Sequence, residues 1–438
     1  FTFHIKRTIL YLRSYMIQEL SITNTLSIKT KQTISFEASK NTKEDAVHYI
    51  DIGSTRLLKL AAIYGSNASG KTNFLKAVNF YFRFMLYAFS DLKPKEGISF
   101  IPFLFDSKTL QAPGIFDIVF FYDSIKYEYH LSLDAKCVHT ESLFYSPKGQ
   151  KKLIYNRVLK SNTNSSGSFE YDWKYGDTLS GNKTEISKMT RQNTTFLNTA
   201  AQLEQPELGA VYDALASNIL PIITSTTKGL MGYTIKLLEN NAIYKKDILS
   251  LLEKADFGKI KDIIVEEREV PIAFWEKLTT ETKKDLSSIN KKSTIKEVFI
   301  SHKYDSDYNL PLSNESAGTQ RMLELAGPIL KVIKNNYFIC IDEIEASLHQ
   351  ELLEFLFVTF LENSKESQIL FTTHNLDLLE SELLLDDGIW FCEKEEDGGS
   401  VYTSLVEYKG IRKEASRKKL YNAGRFGAKP IISTFIVD

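Results

Sequence analysis

The residues Gly65-Ser66-Asn67-Ala68-Ser69-Gly70-Lys71-Thr72 stand between a largely apolar run and an amphipathic one. They match the pattern G-x-x-x-x-G-K-[ST], in which backbone N–H groups of a glycine-rich turn point at phosphate oxygens. Residues 57–64 have the composition of a strand that is buried on both faces. Residues 71–90 carry apolar side chains at helical spacing. The sequence therefore predicts a strand, a phosphate-binding loop and a helix in succession.

Each residue of this loop has an expected role toward a nucleotide. Lys71 would reach the β- and γ-phosphates, and the hydroxyl of Thr72 would ligate Mg²⁺. The positive end of the helix dipole would add to the attraction. The remaining predicted phosphate contacts are Gly65, Ser66, Asn67, Ala68, Ser69 and Gly70. The predicted cofactors are thus ATP and Mg²⁺, and the alternative is a glycine-rich turn that binds nothing.

Two adjacent carboxylates follow the apolar run 337–341, which we predict to be a central strand. In doubly wound sheets, ligands lie at the carboxyl ends of the strands. We expect Asp342 to hold the Mg²⁺ shell, directly or through water. Glu343 would polarise the attacking water as a general base. The alternative is a solvated acidic turn, and the phosphate-binding loop upstream favours the catalytic interpretation.

A histidine and a serine–glycine pair complete the candidate site. His374 follows the predicted strand 368–372, where an imidazole would contact the γ-phosphate or position water. A single histidine in that place is usually structural, but its spacing after the carboxylates favours a catalytic role. Ser316 and Gly318 open the predicted helix 316–335, and a helix N-terminus of small residues is a second anion site. The alternative is that Ser316 is only an N-cap.

The composition limits the class of protein. The chain has 438 residues, 43% of them hydrophobic and 25% charged, with a formal net charge of −1. This net charge provides no global attraction to nucleic acid, so any such contact needs a local patch. The three cysteines are far apart, which fits a reducing cytoplasm and argues against a disulfide framework or zinc site. No apolar run reaches the ~18 residues of a membrane-spanning helix, so we predict a cytoplasmic protein without a membrane contact.

The pattern of the chain suggests five segments. Residues 1–15 form an N-terminal extension before Met16, and 16–160 contain the phosphate-binding loop and an antiparallel meander. Residues 161–295 are predicted as a mainly helical insertion. Residues 296–410 hold the helix with Ser316, the carboxylate strand, a further helix predicted over Ala346 to Glu362, and the histidine. Residues 411–438 form a basic tail.

The order of these motifs resembles that of ABC-type ATPases. The resemblance implies an α/β fold, a P-loop NTPase head of the ABC type with an antiparallel β subdomain and a helical insertion. It also implies that Ser316 and Gly318 correspond to the signature motif, which contacts the γ-phosphate bound by the opposite subunit. Two heads would then enclose two Mg-ATP molecules as a homodimer, or as a higher even oligomer. Glu345 and Ser347 would lie in the D-loop, and His374 would be the switch histidine. No Q-loop glutamine is assigned.

A closer resemblance is to an AAA-labelled group of SMC/RecF-like ATPases from bacterial abortive-infection and antiphage loci. These are similar to the ATPase heads of RloB-associated and overcoming-lysogenization-defect proteins. The resemblance implies an ATPase that controls a separate effector or nuclease subunit, since the stretch after His374 is too short for a fused Toprim nuclease. The sequence departs from the group at Asn24-Thr25-Leu26-Ser27, where an Asn-Phe-Arg-Ser-like run is common. The matching stretches are Ala61 to Lys71, Asp342 to His349, Ile389 to Lys394 and Gly424 to Pro430.

A group of cations near the C-terminus has two interpretations of equal weight. They would contact nucleic acid phosphates or an acidic partner, or they would form a solvated helix face. The residues concerned are Arg412, Lys413, Arg417, Lys418, Lys419 and Arg425.

Three other functions compete with an effector-controlling ATPase. A DNA-binding SMC/RecF-like ATPase of DNA repair or chromosome maintenance is the main alternative, but the sequence has no long coiled coil between Lys71 and Asp342. A transporter subunit is disfavoured by the divergent signature and the large insertion. A ring-forming AAA+ motor is disfavoured by Ser316, Gly318 and His374, which favour the ABC arrangement.

Overall fold

In a computed structural model, the protein is described over residues 15–39, 47–160, 169–224, 227, 229–255, 257, 260–269, 294–303, 307–411 and 415–428. It divides into two compact units. Phe1–Ser225, Val332–Glu345 and Leu356–Asp438 form the first unit, and Thr226–Lys331 with Ala346–Phe355 form the second. Within the described part of the chain, no helix is both long and apolar enough to cross a membrane.

A five-stranded sheet carries the phosphate-binding loop in the first unit. Its strand order is β14-β15-β5-β16-β17, and the first four strands are parallel while the last is antiparallel. Every residue of β5, β14 and β15 is buried, which explains why their sequences are largely apolar. The strands are β5 (Leu60–Gly65), β14 (Phe338–Ile341), β15 (Gln368–Thr372), β16 (Ile389–Lys394) and β17 (Ser400–Ser404).

The parallel register brings the ends of the central strands to one edge. Ile341 of β14 pairs with Phe371 of β15, and Thr372 pairs with Ile63 of β5. Because β5 ends at Gly65, the residues that follow all three strands emerge together. The edge of β14 is covered by the chain at Ile223, which forms a parallel bridge to Ile341.

A seven-stranded antiparallel sheet packs through a shared hydrophobic core on the helix that follows the loop. That helix, α1 (Lys71–Asp91), buries Phe74, Val78, Phe82 and Leu86 among other residues. The order of the sheet is β10-β9-β8-β7-β6-β1-β2. Its strands are β1 (Tyr15–Thr23), β2 (Gln32–Ser35), β6 (Gly114–Tyr122), β7 (Ile125–Leu133), β8 (Val138–Ser146), β9 (Lys152–Leu159) and β10 (Tyr171–Tyr175), and a separate hairpin pairs β3 (Tyr49–Ile52) with β4 (Thr55–Leu58).

A buried carboxylate holds a short helix against α1. Glu141 is fully buried and accepts the backbone N–H groups of Phe196 at 2.7 Å and Leu197 at 3.1 Å, which open α3 (Phe196–Gln202). A carboxylate at a helix N-terminus is favoured by the helix dipole. Asn198 of α3 then accepts the N–H of Phe89 in α1 at 3.0 Å. The other helices that lie wholly in this unit are α2 (Lys183–Met189), α4 (Pro206–Asn218), α9 (Leu376–Glu380) and α10 (Arg417–Asn422).

The second unit combines helices with a small antiparallel sheet. Its helices are α5 (Leu230–Asn240), α6 (Ala242–Lys254) and the first part of α7 (Ala317–Asn335). Thr234 of α5 donates to the carbonyl of Glu324 at 3.1 Å, where α5 and α7 pack closely. The sheet has the order β11-β12-β13, formed by β11 (Ile260–Glu269), β12 (Thr294–Lys303) and β13 (Asp307–Pro311). The remaining helix, α8 (Gln350–Asn363), begins in this unit and ends in the first.

The predicted α/β fold of a P-loop head with an antiparallel β subdomain is confirmed, with two local corrections. Ile260–Glu269 is a strand and not part of a helix, because it pairs along its length with β12 and Arg268 forms a 2.9 Å ion pair across the strands with Glu297. The helix predicted from Ala346 begins at Gln350. Ser347 has a φ of 63°, which no right-handed helix accommodates.

Candidate functional site

Two glycines of the phosphate-binding loop are fixed by close packing. A Cβ atom at Gly70, where φ is 122°, would lie 2.1 Å from Ser400 Oγ. A Cβ atom at Gly65 would lie 2.4 Å from the carbonyl oxygen of Cys392 in β16. Ala68 lies between them with a φ of 63°, in the left-handed region. The backbone of the loop is therefore wrapped tightly against the neighbouring strands.

Side chains from distant segments brace the same loop. Ser400 donates its hydroxyl to the carbonyl of Ser69 at 2.6 Å, and Tyr402 donates to the carbonyl of Gly70 at 2.8 Å. Ser400 Oγ also lies 2.8 Å from Ser27 Oγ, which accepts a hydrogen bond from Asn73 of α1 at 2.9 Å. The sequence motifs do not include Ser27, Ser400 or Tyr402. The sequence indicates only that Ser400 and Tyr402 alternate along β17, which puts both side chains on one face of the strand.

Asn24 and Ser27, the first and last residues of the run at 24–27, each support a loop near the site. Asn24 has a φ of 50°, and its side chain donates to the carbonyls of Thr109 at 2.8 Å and Ala112 at 2.9 Å. Its Oδ1 accepts the N–H of Phe103 at 3.0 Å. Asn24 therefore fastens the loop between α1 and β6, while Ser27 supports the phosphate-binding loop.

Lys71 turns back onto its own loop. Its ammonium group donates to the carbonyls of Gly65 at 2.8 Å and Ser66 at 2.9 Å. Burial lowers the pKa of Lys71, while the neighbouring anionic side chains, including Asp342 and Glu343, act in the opposite direction. The charge of Lys71 thus lies against the carbonyls at the start of the loop, with Asp342 and Glu343 among its electrostatic neighbours.

Two hydroxyls hold Asp342. Thr72 Oγ1 lies 3.0 Å from each of its carboxylate oxygens, and Thr372 donates to Oδ1 at 2.6 Å. The hydroxyl oxygen of Thr372 also accepts the N–H of Glu343 at 2.8 Å. Thr372 therefore links the end of β15 to both predicted carboxylates. The sequence did not single it out, although it immediately precedes the Thr373-His374 pair.

Glu343 and His374 belong to the same edge of the sheet. Glu343 has a φ of 49°, so the chain turns sharply at the predicted general base. The backbone N–H of His374 donates to Glu345 Oε1 at 2.5 Å. Partial burial and then the nearby Lys71 lower the pKa of His374, and the carboxylates of the site act in the opposite direction. The first unit thus brings together the loop Gly65 to Thr72 with Asp342, Glu343 and His374.

Ser316 and Gly318 lie in the second unit, at the N-terminus of α7. Ser316 Oγ accepts the N–H of Thr319 at 3.1 Å, which is the hydrogen bond of an N-cap. A Cβ atom at Gly318 would lie 3.5 Å from the carbonyl oxygen of Ser347, so the predicted D-loop approaches this helix start within the unit. The N-cap and the anion-site interpretations of Ser316 are compatible, because a cap leaves other N–H groups of the first turn free.

Some of the cations near the C-terminus have partners within the chain. Arg417 forms an ion pair with Asp386 at 2.6 Å and donates to the carbonyl of Leu379 at 3.2 Å. Lys418 is paired with Asp377, and Arg425 donates to the carbonyl of Lys409 at 3.2 Å. Arg412 and Lys413 lie outside the described residues. Three of the six cations thus have partners in the chain, which favours the structural interpretation for those three.

The glycine-rich loop lies between β5 and α1, and the paired carboxylates follow β14, the second strand away in the sheet. This is the arrangement of a P-loop ATPase. Within this class the chain belongs to the family described as "AAA domain, putative AbiEii toxin, Type IV TA system", whose model matches residues 60–181 and 235–380. The matched residues include the phosphate-binding loop, both carboxylates, Ser316, Gly318 and His374.

Solved structures of SMC heads are similar at low sequence identity. The SMC head domain from Thermotoga maritima is 13% identical with a TM-score of 0.39, over 89% of this chain and 98% of that chain. An SMC head bound to the C-terminal winged-helix domain of ScpA is 15% identical with a TM-score of 0.40, over 90% and 100% of the two chains. An Smc head with an extended coiled coil, bound to a ScpA domain derived from Pyrococcus furiosus, is 14% identical with a TM-score of 0.39, over 90% and 97%. No curated protein matches the chain.

Proposed function

We propose that the protein binds and hydrolyses ATP at the edge formed by β5, β14 and β15. The observation that carries this proposal is the contact of Thr72 with both oxygens of Asp342, since it joins the phosphate-binding loop to the carboxylate strand. Backbone N–H groups of residues 65–72 would bind the phosphates, and Lys71 would neutralise their charge. Glu343 would take a proton from the attacking water, and His374 would position that water or the γ-phosphate.

The donor set at this contact fits Mg²⁺. The Thr72 hydroxyl and the Asp342 carboxylate supply hard oxygen ligands, which Mg²⁺ prefers. Thr372 keeps the carboxylate in place by donating to Oδ1. When bound, Mg²⁺ would neutralise developing charge on the phosphate oxygens.

Ser316 and Gly318 support a dimeric site. In the proposed arrangement, the N-terminus of α7 from one subunit faces the γ-phosphate held by the other, as the ABC-type resemblance implies. The small residues and the positive dipole end of that helix start suit an anion. ATP would then hold two heads together, and hydrolysis would release them.

We further propose that this cycle controls a separate effector in bacterial antiphage defence, in the reducing cytoplasm that three free, buried cysteines suit. The family description, which names a putative toxin of a type IV toxin–antitoxin system, supports this biological setting. The effector would be a nuclease or other subunit of the RloB-associated kind.

The mass of the purified protein in solution tests the proposal, with and without Mg-ATP, for the wild type and Glu343→Gln. Steady-state ATP turnover is measured on the same samples. We expect ATP to favour a dimer, most clearly in the variant, which binds ATP but does not complete hydrolysis. Wild-type turnover in Glu343→Gln would contradict the assignment of the general base. A mass that does not respond to ATP in either protein would contradict nucleotide-driven dimerisation.

A further inference from the structure

The side chain of Glu345 connects two loops of the candidate site. Glu345 follows Asp342 and Glu343 in the loop after β14, and His374 lies in the loop after β15. Glu345 Oε1 accepts the backbone N–H of His374 at 2.5 Å. A charged acceptor makes this one of the stronger types of hydrogen bond. The position of the histidine backbone is therefore set by a residue outside its own strand.

The second oxygen of the same carboxylate is buried and has no hydrogen-bond partner among the described residues. The hydroxyl of Tyr64, the residue before Gly65, is likewise buried and without a partner in this part of the chain. Burial and then the Glu345 carboxylate raise the pKa of Tyr64, so the two groups are electrostatic neighbours. A buried acceptor without a partner destabilises the folded state. Stability alone would favour a neutral side chain at this position, so the carboxylate calls for a functional explanation.

We propose that Glu345 is a positioning residue, which holds His374 for ATP hydrolysis by fixing the backbone N–H of that residue. This inference rests on the proposed ATPase function. Glu345 lies between Glu343 and Ser347, so one hydrogen bond joins the loop after β14 to the backbone of His374. The loop that the resemblance assigns to the dimer interface is thereby connected to the imidazole on the same subunit.

Steady-state kinetics of three variants test the role. Glu345→Ala removes the acceptor, and we expect kcat to fall by about 100-fold, the cost of misplacing an active-site group by roughly 1 Å. KM for ATP should stay within about threefold, because phosphate binding does not depend on Glu345. Glu345→Gln keeps a side-chain oxygen for the N–H of His374 and should recover most of the lost kcat. Glu396→Ala is the matched control, since Glu396 is exposed at the β16–β17 turn and should behave as wild type.

A double-mutant cycle separates positioning from other effects. In a His374→Ala background, Glu345→Ala should cause little further loss of kcat, because the residue it positions is already absent. Additive losses would overturn the inference, as would wild-type turnover in Glu345→Ala. A loss of kcat that is accompanied by an equal loss in Glu345→Gln, or by a lowered melting temperature, would also overturn it. A wild-type protein that does not hydrolyse ATP would instead refute the proposed function, and this inference with it.

Discussion

Gln368 binds both backbone groups of Ile17. Its Oε1 accepts the N–H at 2.6 Å, and its Nε2 donates to the carbonyl at 2.9 Å and to the carbonyl of Leu58 at 3.0 Å. The pairing of β1 with β6 shifts register between Ile17 and Glu19, so the amide side chain completes hydrogen bonds beside an irregular point of the strand. One residue of β15 thereby fastens the antiparallel sheet to the sheet that carries the site.

We expect Gln368→Met to destabilise the protein strongly. The substitution preserves volume but leaves the buried N–H of Ile17 without its partner, and an unpaired buried group costs about 1–3 kcal/mol. Denaturant unfolding measures the loss. Gln150→Met is the control, because Gln150 is exposed, and its midpoint should not move. Equal stability of Gln368→Met and wild type would show that these hydrogen bonds are replaced or dispensable.

Gly70→Ala should abolish nucleotide binding while the protein stays folded. The new Cβ would lie 2.1 Å from Ser400 Oγ in a backbone with a φ of 122°, so the loop must move away from its brace. Binding of a fluorescent ATP analogue measures the effect. Gly53→Ala is the matched control, since Gly53 has a φ of 62° but nothing within 4 Å of the added Cβ. Normal binding by Gly70→Ala would contradict the view that this packing shapes the loop.

The pKa of His374 should lie below the usual value for histidine. Burial and the positive charge of Lys71 both disfavour the imidazolium. The ring is therefore neutral at pH 7 and gains its proton only at a pH below the usual pKa of histidine. Carbon-13 NMR of labelled histidine follows this titration, with the resonance assigned by its absence in His374→Gln. Lys71→Met should raise the pKa of His374, because the substitution removes a positive neighbour. An unchanged or lowered value in that variant would contradict the proposed proximity.

Arg417→Gln should weaken the fold rather than a nucleic-acid contact. The guanidinium joins Asp386 and the carbonyls of Leu379 and Leu384, and breaking such a partly buried ion pair lowers the melting temperature. Lys419→Glu should leave the melting temperature unchanged. Duplex DNA binding across a salt titration is measured for both variants. A reduced salt dependence in Lys419→Glu, without a loss of stability, would favour the nucleic-acid interpretation instead.

Local patterns were sufficient for the central sheet and the loop. The apolar run before Gly65 and the helical spacing after Lys71 predicted β5 and α1, and Gln368–Thr372 was predicted with its observed bounds. Local patterns failed at Ile260–Glu269, where pairing with β12 outweighs the helical interpretation of a charged sequence. They also failed at Ser347, since a single left-handed residue leaves no signature in a sequence without glycine.

The residues of the candidate site also fall into two groups, those that short sequence motifs predict and those that they do not. Motif residues were predictable because their chemistry depends on short, fixed spacings. Ser27, Thr372, Ser400 and Tyr402 were not, because each acts through a hydrogen bond to a segment that is distant in sequence. Glu345 was assigned to a loop by resemblance, but only the structure connects its side chain to His374.

The hydrogen bonds from Ser400 and Tyr402 to the phosphate-binding loop have a consequence for truncated forms of the protein. A fragment that ends soon after His374 retains every residue by which a motif scan would recognise a nucleotide-binding protein. It lacks the strand whose hydroxyls hold the carbonyls of Ser69 and Gly70. Such a truncation product would carry every motif residue of the site but would lack the hydrogen bonds that hold the phosphate-binding loop in place.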